Sequence, residues 1–226
     1  MNIFKGLLIK DFLQLKSYKK NFFLSIFIYA TLIFMNSDQA DMGLVGSIMI
    51  MFLFSIYAMS TFNYDEKSKA DRYILTFPLT KKEVVLSKYL IGIISLLLGA
   101  LIGMILGIGI MYISTKTLPD LESILSGLLG GAIALSFMQA IQIPSIYKYG
   151  AEKGRLQIYI IMLIIALIPT GIYWLSTKID LNINVNFVDF FNKAEPFLPF
   201  VALALIVLNY FISYKVSYKI YSKKEV

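Results

Sequence analysis

The sequence predicts an all-α membrane protein with six transmembrane helices and both termini in the cytoplasm. Three observations support this prediction: the apolar composition, six long apolar runs, and an uneven distribution of Lys and Arg. Of the 226 residues, 58% are hydrophobic and only 15% are charged, which is too little polar surface to coat a water-soluble globule of this size. Lipid must therefore be the solvent for most of the chain, and we expect one membrane domain, residues 1–226.

Each of the six apolar runs is near or above the roughly 18 residues that suggest a membrane-spanning helix. The runs are continuous, whereas the strands of a membrane barrel would alternate in blocks of about ten residues. The predicted spans, in chain order, are residues 21–37, 42–64, 81–115, 121–147, 156–177 and 197–215. Pro144 and Pro169 are expected to kink or end the fourth and fifth spans.

The distribution of basic residues predicts the orientation of the spans. If the N-terminus lies inside, all but three of the 21 Lys and Arg residues fall in inner segments, and the exceptions are Lys116, Lys178 and Lys193. The 14 acidic residues divide evenly between the two sides. An excess of Lys and Arg marks cytoplasmic loops, so both termini are predicted to be cytoplasmic. The net charge of +7 then reflects orientation and attraction to anionic lipid, which we favour over nucleic-acid binding.

The residues before the first span, 1–20, have the pattern of an amphipathic helix. One stripe at helical spacing carries the large apolar residues Phe4, Leu8, Phe12 and Leu15. We interpret this segment as an interfacial helix on the inner leaflet, with a plain cytoplasmic extension of the first span as the alternative. No A-x-A-like site follows the first apolar run, so we expect no cleavable signal peptide.

The longest cytoplasmic segment, residues 65–80, joins the second and third spans. It opens with Asp65 and Glu66, and negative charge is favoured at the N-terminus of a helix. Basic residues follow the acidic pair. This pattern predicts a short helix that begins at about Asp65 and ends near Leu75.

A second helix-start signal lies at the end of the same segment. Pro78 breaks the preceding run, and Thr80 and Glu83 have the spacing of a capping box. A new helix is therefore predicted to begin near Lys81 and to continue through the third span.

Small residues recur on one face of the third and fourth spans. The glycines on these faces are Gly92, Gly99, Gly103 and Gly107 in the third span, and Gly127 and Gly131 in the fourth. Glycine at this spacing lets another backbone approach closely. We predict that the two helices pack on each other or on a second copy of the chain, with ordinary intrachain packing as the plainer interpretation.

The predicted outer segment, residues 178–196, has a strictly alternating stretch. Leu181, Ile183, Val185 and Phe187 alternate with three asparagines, which favours a short half-buried extended conformation. Whether this segment is strand or helix stays open.

The residue types that are missing exclude several function classes. The chain contains neither His nor Cys, so imidazole catalysis, thiolate chemistry and the usual zinc ligands are excluded. No G-x-x-x-x-G-K-[ST] loop is present, and the apolar runs within the predicted spans, such as residues 89–115 of the third, contain none of the ionisable residues that secondary transporters use. We expect no enzyme, no catalytic or metal-binding residues and no cofactor in this chain. Energy for transport would enter through a partner at the inner face.

Two stretches and the layout resemble one known family. The stretches are KDFLQLKSYKK near the N-terminus and FNYDEKSKADRYILTFPLTKKEVVLSKYL after the second span, and the layout is six spans with a longer outer segment before the last. These features resemble the permease subunits of type-2 ABC exporters, the ABC-2 family. In layout the resemblance covers nearly the whole chain. The extended outer segment departs from it, since the family's outer elements are usually helical.

The resemblance implies functional residues in the segment after the second span. In the family, this loop forms a coupling helix that docks in a cleft of the ATPase subunit. The positions that correspond to ATPase contacts are Asp65, Glu66, Lys69, Arg72 and Tyr73. The N-terminal helix resembles the family's interfacial connecting helix.

The resemblance also implies partners and a cargo. Without a fused ATPase, the chain would need a second permease copy, identical or not, and two ABC ATPase subunits that bind ATP and Mg. Small stand-alone permeases of this kind resemble exporters of amphipathic peptides, including phenol-soluble modulins and bacteriocins, in the bacterial cytoplasmic membrane. The alternative is a non-transporting scaffold or immunity protein that binds a peptide or partner in the bilayer.

Overall fold

The computed structural model describes residues 3–17, 19–35, 42–74, 76, 78–116, 121–154, 156–157, 159–160, 163, 167 and 198–223. The helices bounded within these residues are α1 (Ile3–Ser17), α2 (Lys19–Met35), α3 (Met42–Lys67), α4 (Ala70–Ile74), α5 (Lys81–Thr115), α6 (Leu121–Tyr149) and α7 (Leu198–Ser222). Residues 151–154 form a further helical turn. All regular structure in the described ranges is helical, in agreement with the predicted all-α class.

Within the residues that the structure describes, four helices are long and apolar enough to cross a membrane. The corresponding stretches are Gly43–Lys67, Lys81–Ile113, Ile124–Tyr149 and Pro199–Ser222. The predicted first span falls on α2, whose 17 residues extend roughly 25 Å, somewhat less than the ~30 Å hydrocarbon core. The predicted fifth span lies mostly outside the described residues, as do the outer segment 178–196 and Pro169.

Helices α3 and α5 form an antiparallel pair joined by the turn that contains α4. Gly107, late in α5, lies against Gly43 at the start of α3, and Lys88, early in α5, lies against Thr61 near the end of α3. We call the end of the bundle where α3 finishes and α5 begins the α4 end, and the opposite one the far end.

Helix α6 runs parallel to α3, since Gln139 contacts Ser55 and the ring of Tyr147 packs edge-on against that of Phe62. Helix α7 in turn runs parallel to α6. Asn209 contacts Ser136, and Tyr221 stacks on Tyr147 near the α4 end, with ring centroids 5.2 Å apart. Three of the four long helices therefore finish at the α4 end.

The glycine faces of α5 and α6 pack within the chain, which was the plainer interpretation. Most of these glycines lie against α3, and Gly92 of α5 lies against Gln139 of α6. A Cβ atom added to Gly103 would lie 2.5 Å from the carbonyl oxygen of Ser47, and one added to Gly99 would lie 2.8 Å from the Cα of Met51. On α6, Gly127 makes room for the side chain of Leu44. The spacing indicated close approach, but it carried no information about which helix approaches.

Two predictions from local sequence signals concern the start of α5 and the effect of Pro144 on α6. Helix α5 begins at Lys81, and the predicted capping box is formed: the Glu83 amide donates to the Thr80 hydroxyl, and the Thr80 amide donates to the Glu83 carboxylate at 2.8 Å. Helix α6 continues through Pro144 as far as Tyr149, so Pro144 does not end it.

The predicted helix start at Asp65 is wrong. Helix α3 continues through Asp65 and Glu66 and ends at Lys67, and a turn with Lys69 at φ 52° separates it from the five-residue α4. The acidic pair therefore occupies the last turn of a helix, where negative charge opposes the helix dipole. Both carboxylates are instead compensated by tertiary partners, which a local pattern does not reveal.

Helix α1 turns polar residues toward the protein. Leu7, Asp11 and Gln14 are buried, while Phe12 and Leu13 are exposed. Of the predicted apolar stripe, Phe12 is exposed, and Phe4, Leu8 and Leu15 are half-buried. An exposed apolar stripe is what an interfacial helix presents to lipid, so the interfacial position stays a prediction consistent with this packing.

Candidate functional site

Four charged side chains from three helices meet at the α4 end. Lys88 Nζ of α5 lies 2.6 Å from Asp65 Oδ2 of α3 and 2.9 Å from Asp11 Oδ1 of α1. Lys10 Nζ lies 2.7 Å from Asp65 Oδ1 and 3.2 Å from Asp11 Oδ1. We call Lys10, Asp11, Asp65 and Lys88 the charge cluster. Two cations and two anions make it formally neutral.

The charge cluster is deeply buried. Asp11, Lys88 and Asp65 are only 0%, 5% and 7% exposed. Burial of an unpaired charge is strongly unfavourable, so such groups depend on one another for compensation. The pairing of each charge with two of opposite sign meets that requirement.

Neutral neighbours complete the environment of the cluster. Gln14 Nε2 donates to Asp65 Oδ1 at 2.7 Å, and Lys88 Nζ donates to Thr61 Oγ1 at 3.3 Å. The Lys88 ammonium also lies 5.0 Å from the centre of the Phe62 ring, within cation–π range. The cluster therefore ties α1 to both helices that flank α4.

Glu66 makes a second connection at the α4 end. Its carboxylate accepts a hydrogen bond from the backbone amide of Ala151, at the start of the helical turn 151–154. Gly150 precedes that turn with φ 88°, and a Cβ atom there would lie 3.0 Å from Glu66 Oε1. A carboxylate at a helix N-terminus is stabilising, so the end of α3 is fastened to the segment after α6.

The five predicted ATPase contacts separate into two groups. Asp65 and Glu66 are engaged within the chain, whereas Lys69 and Tyr73 are exposed, Tyr73 by 68%. The Arg72 side chain lies outside what the structure describes. Neighbouring Ile74 is buried, which anchors α4 while Tyr73 projects outward.

Three residues of the charge cluster were not among the site residues predicted from the sequence: Lys10, Asp11 and Lys88. A signal was present: Asp11 is an isolated acid in a basic amphipathic segment, and Lys88 is the last charge before the apolar part of the third span. Both positions suggest buried partners. Lys10 and Asp65 are 55 residues apart along the chain, and Asp11 and Lys88 are 77 residues apart. The spacing of the residues therefore did not reveal these pairs.

A row of neutral polar groups extends the site into the apolar interior. Gln139, fully buried, donates to Ser55 Oγ and accepts from the Tyr210 hydroxyl, each at 2.7 Å. Gly92 lies against the Gln139 amide, where a Cβ atom would lie 2.6 Å from Oε1. Tyr89 hydrogen-bonds Ser213 of α7 at 2.5 Å. These contacts join α3, α5, α6 and α7.

A groove of about 550 Å³ lies between α5, α6 and α7. Its lining is almost entirely aliphatic, with Leu97 and Met104 on α5, Leu128 on α6 and Val207 on α7 as examples. Such a groove suits an apolar molecule. Among the described residues, no group of three or more acidic side chains is placed to hold a metal ion.

Comparison with known proteins gives one line of evidence about the whole chain. A family model described as "ABC-2 family transporter protein" matches residues 6–222. The match begins within α1 and ends with α7. The comparisons with curated proteins and with solved structures gave no match.

Proposed function

This chain belongs to the ABC-2 family of transporter proteins, and on that basis we propose that it forms an export pathway for an apolar or amphipathic substrate, such as a peptide or antimicrobial. As a member of that family it is a membrane permease that works with an ABC ATPase. In our proposal the complex contains a second permease copy and two separate ATPase subunits, which bind the ATP and Mg.

The placement of α4 is the observation that best supports this function: Tyr73 is exposed, and the next residue, Ile74, lines one cavity together with Asp65 and Lys88. Helix α4 connects α3 to α5, and the cluster fastens the adjoining ends of both helices to α1. Buried charge pairs resist separation because each partner would be left uncompensated. A displacement of α4 by an ATPase subunit would therefore move α1, α3 and α5 together.

The helix directions support six spans with both termini in the cytoplasm. Helix α1 contacts the α4 end of α3, whereas α3 starts at the far end, so α2 must cover the distance between the two ends. Helices α6 and α7 are parallel, which agrees with a proposed fifth span between them. With the basic α4 end in the cytoplasm, these directions support the six proposed crossings.

The groove between α5, α6 and α7 supports the substrate class. Its aliphatic lining offers little to a hydrophilic solute, while an amphipathic molecule would place its apolar side there. The interior polar row is satisfied by its own hydrogen bonds, which leaves few polar groups for a solute to bind.

Co-purification tests the proposed complex. The tagged chain would be co-expressed with candidate ABC ATPases of its source genome and purified in mild detergent, and we expect an ATPase to be recovered with it. The Tyr73→Ala variant should retain membrane insertion but recover at least fivefold less ATPase. Tyr112→Ala is the matched control, since Tyr112 is an exposed tyrosine near the far end of α5.

Two results would contradict the proposal. Recovery of the chain alone with every ATPase would favour the alternative, a scaffold or immunity protein in the bilayer. If Tyr73→Ala and Tyr112→Ala reduced the recovery of the ATPase equally, α4 would not be the docking element.

A further inference from the structure

A second cavity, separate from the groove and from the charge cluster, lies where α1 meets α2. Its volume is about 230 Å³, and its apolar lining includes Phe12 of α1, Phe22 of α2, Phe54 of α3 and Leu98 of α5. An engineered apolar cavity of ~150 Å³ holds a benzene molecule. This cavity therefore has room for part of an acyl chain.

Positive charge lies at the mouth of this cavity. Lys19 is the charged residue among those that line it, and the ammonium-bearing side chains of Lys16, Lys19 and Lys20 are all exposed. Lys19 is also the first residue of α2, where the helix dipole favours an anion. The same short stretch thus offers an anion site directly beside an apolar cavity.

The depth of the cavity matches that arrangement. Its α5 wall runs from Ile91 to Leu98, which places it between roughly 4 and 15 Å along the helix axis from Lys88 toward the far end. The apolar wall of the cavity therefore begins close to the level of the charge cluster and extends toward the far end.

We propose that this cavity binds one anionic glycerophospholipid from the leaflet at the α4 end. The phosphate group lies at Lys19 and the N-terminus of α2, and one acyl chain occupies the cavity. A cationic amphipathic peptide would be repelled by the three lysines, which is why we assign the site to an anionic lipid. The site goes beyond the proposed transport function and does not depend on the identity of the cargo.

Native mass spectrometry of the delipidated full chain tests the assignment. Phosphatidylglycerol and phosphatidylcholine with identical acyl chains would be titrated separately. One phosphatidylglycerol should bind at least fivefold more tightly, because each nearby lysine contributes about that factor with anionic lipid. Lys19→Glu should remove the preference. Lys153→Glu, at an exposed lysine of the turn 151–154, makes the same change of net charge elsewhere and should retain it.

A second variant tests the cavity itself. Ser95 lines it, and Ser95→Leu should fill part of it and weaken the first binding step of both lipids at least fivefold. Ser145→Leu on α6 is the matched control, and size-exclusion chromatography with thermal unfolding checks that each variant folds. Equal binding of the two lipids, or equal losses with Lys19→Glu and Lys153→Glu, would overturn the proposal. Unchanged binding in Ser95→Leu would do the same.

Discussion

At the scale of single residues, Lys88 is the centre of the charge cluster. It contacts Asp11 of α1 and Asp65 of α3, each at less than 3 Å, and it is almost fully buried. The ammonium and both carboxylates have lost most of their hydration. The pairs are therefore important for holding the three helices in register, although such a pair need not stabilise more than a packed apolar core would.

Removal of the Lys88 charge is expected to destabilise the protein strongly. Lys88→Met leaves one net negative charge in the cluster and should lower the free energy of unfolding by about 3–5 kcal/mol. The double variant Lys88→Met, Asp65→Asn restores balance, because Lys10 and Asp11 remain paired at 3.2 Å. It should therefore be more stable than the single variant. Thermal unfolding in detergent measures both.

Lys153→Met provides the control for loss of a lysine, since Lys153 is exposed and its replacement should change stability little. If the double variant were less stable than Lys88→Met alone, charge balance within the cluster would not be what stabilises the protein.

At the scale of helices, the sequence reveals contacts between residues within one helical turn, but it does not reveal contacts between residues that are distant along the chain. The capping box at Thr80 and Glu83 predicted the start of α5, because all of its atoms lie within one turn. The acidic pair Asp65–Glu66 was assigned to the wrong end of a helix, because its compensation comes from Lys10, Lys88 and the amide of Ala151. Each of those groups is distant in sequence.

Two glycines of α5 are expected to differ in how replacement by alanine changes the stability of the protein. Gly103→Ala should destabilise the protein by about 1–3 kcal/mol, because the new Cβ would lie 2.5 Å from the Ser47 carbonyl oxygen. Gly109→Ala should be neutral or stabilising by up to about 1 kcal/mol, since no atom lies within 4 Å of its added Cβ. Thermal unfolding of the two variants decides, and equal effects would contradict the packing of α5 on α3.

At the scale of the whole molecule, the directions of the described helices support the proposed number of crossings, and the sequence did not contain those directions. Apolar runs predicted where helices lie, and basic residues predicted which loops are inside. The parallel course of α6 and α7 emerged only from contacts such as Tyr210 with Gln139 and Tyr221 with Tyr147. This parallel course supports the proposed further crossing between α6 and α7.

Cysteine labelling tests the six-span topology, and the chain, which has no native cysteine, is a clean background for it. A membrane-impermeant maleimide should label Lys116→Cys in intact cells. Lys5→Cys and Lys223→Cys should react only after permeabilisation, because both termini are proposed to be cytoplasmic. Labelling of Lys5→Cys in intact cells would show that α2 does not cross the membrane. Labelling of Lys223→Cys in intact cells would contradict the proposed fifth crossing.

The charge cluster also has a consequence for the order of synthesis. Lys10 and Asp11 leave the ribosome before their partners Asp65 and Lys88, which follow 55 and 77 residues later. At bacterial and eukaryotic elongation rates, Asp11 waits roughly 4 to 15 seconds for Lys88. Helix α1 can thus reach its final place only after the start of α5 has been made, and the inserting chain must keep the Asp11 carboxylate hydrated at the membrane surface until then.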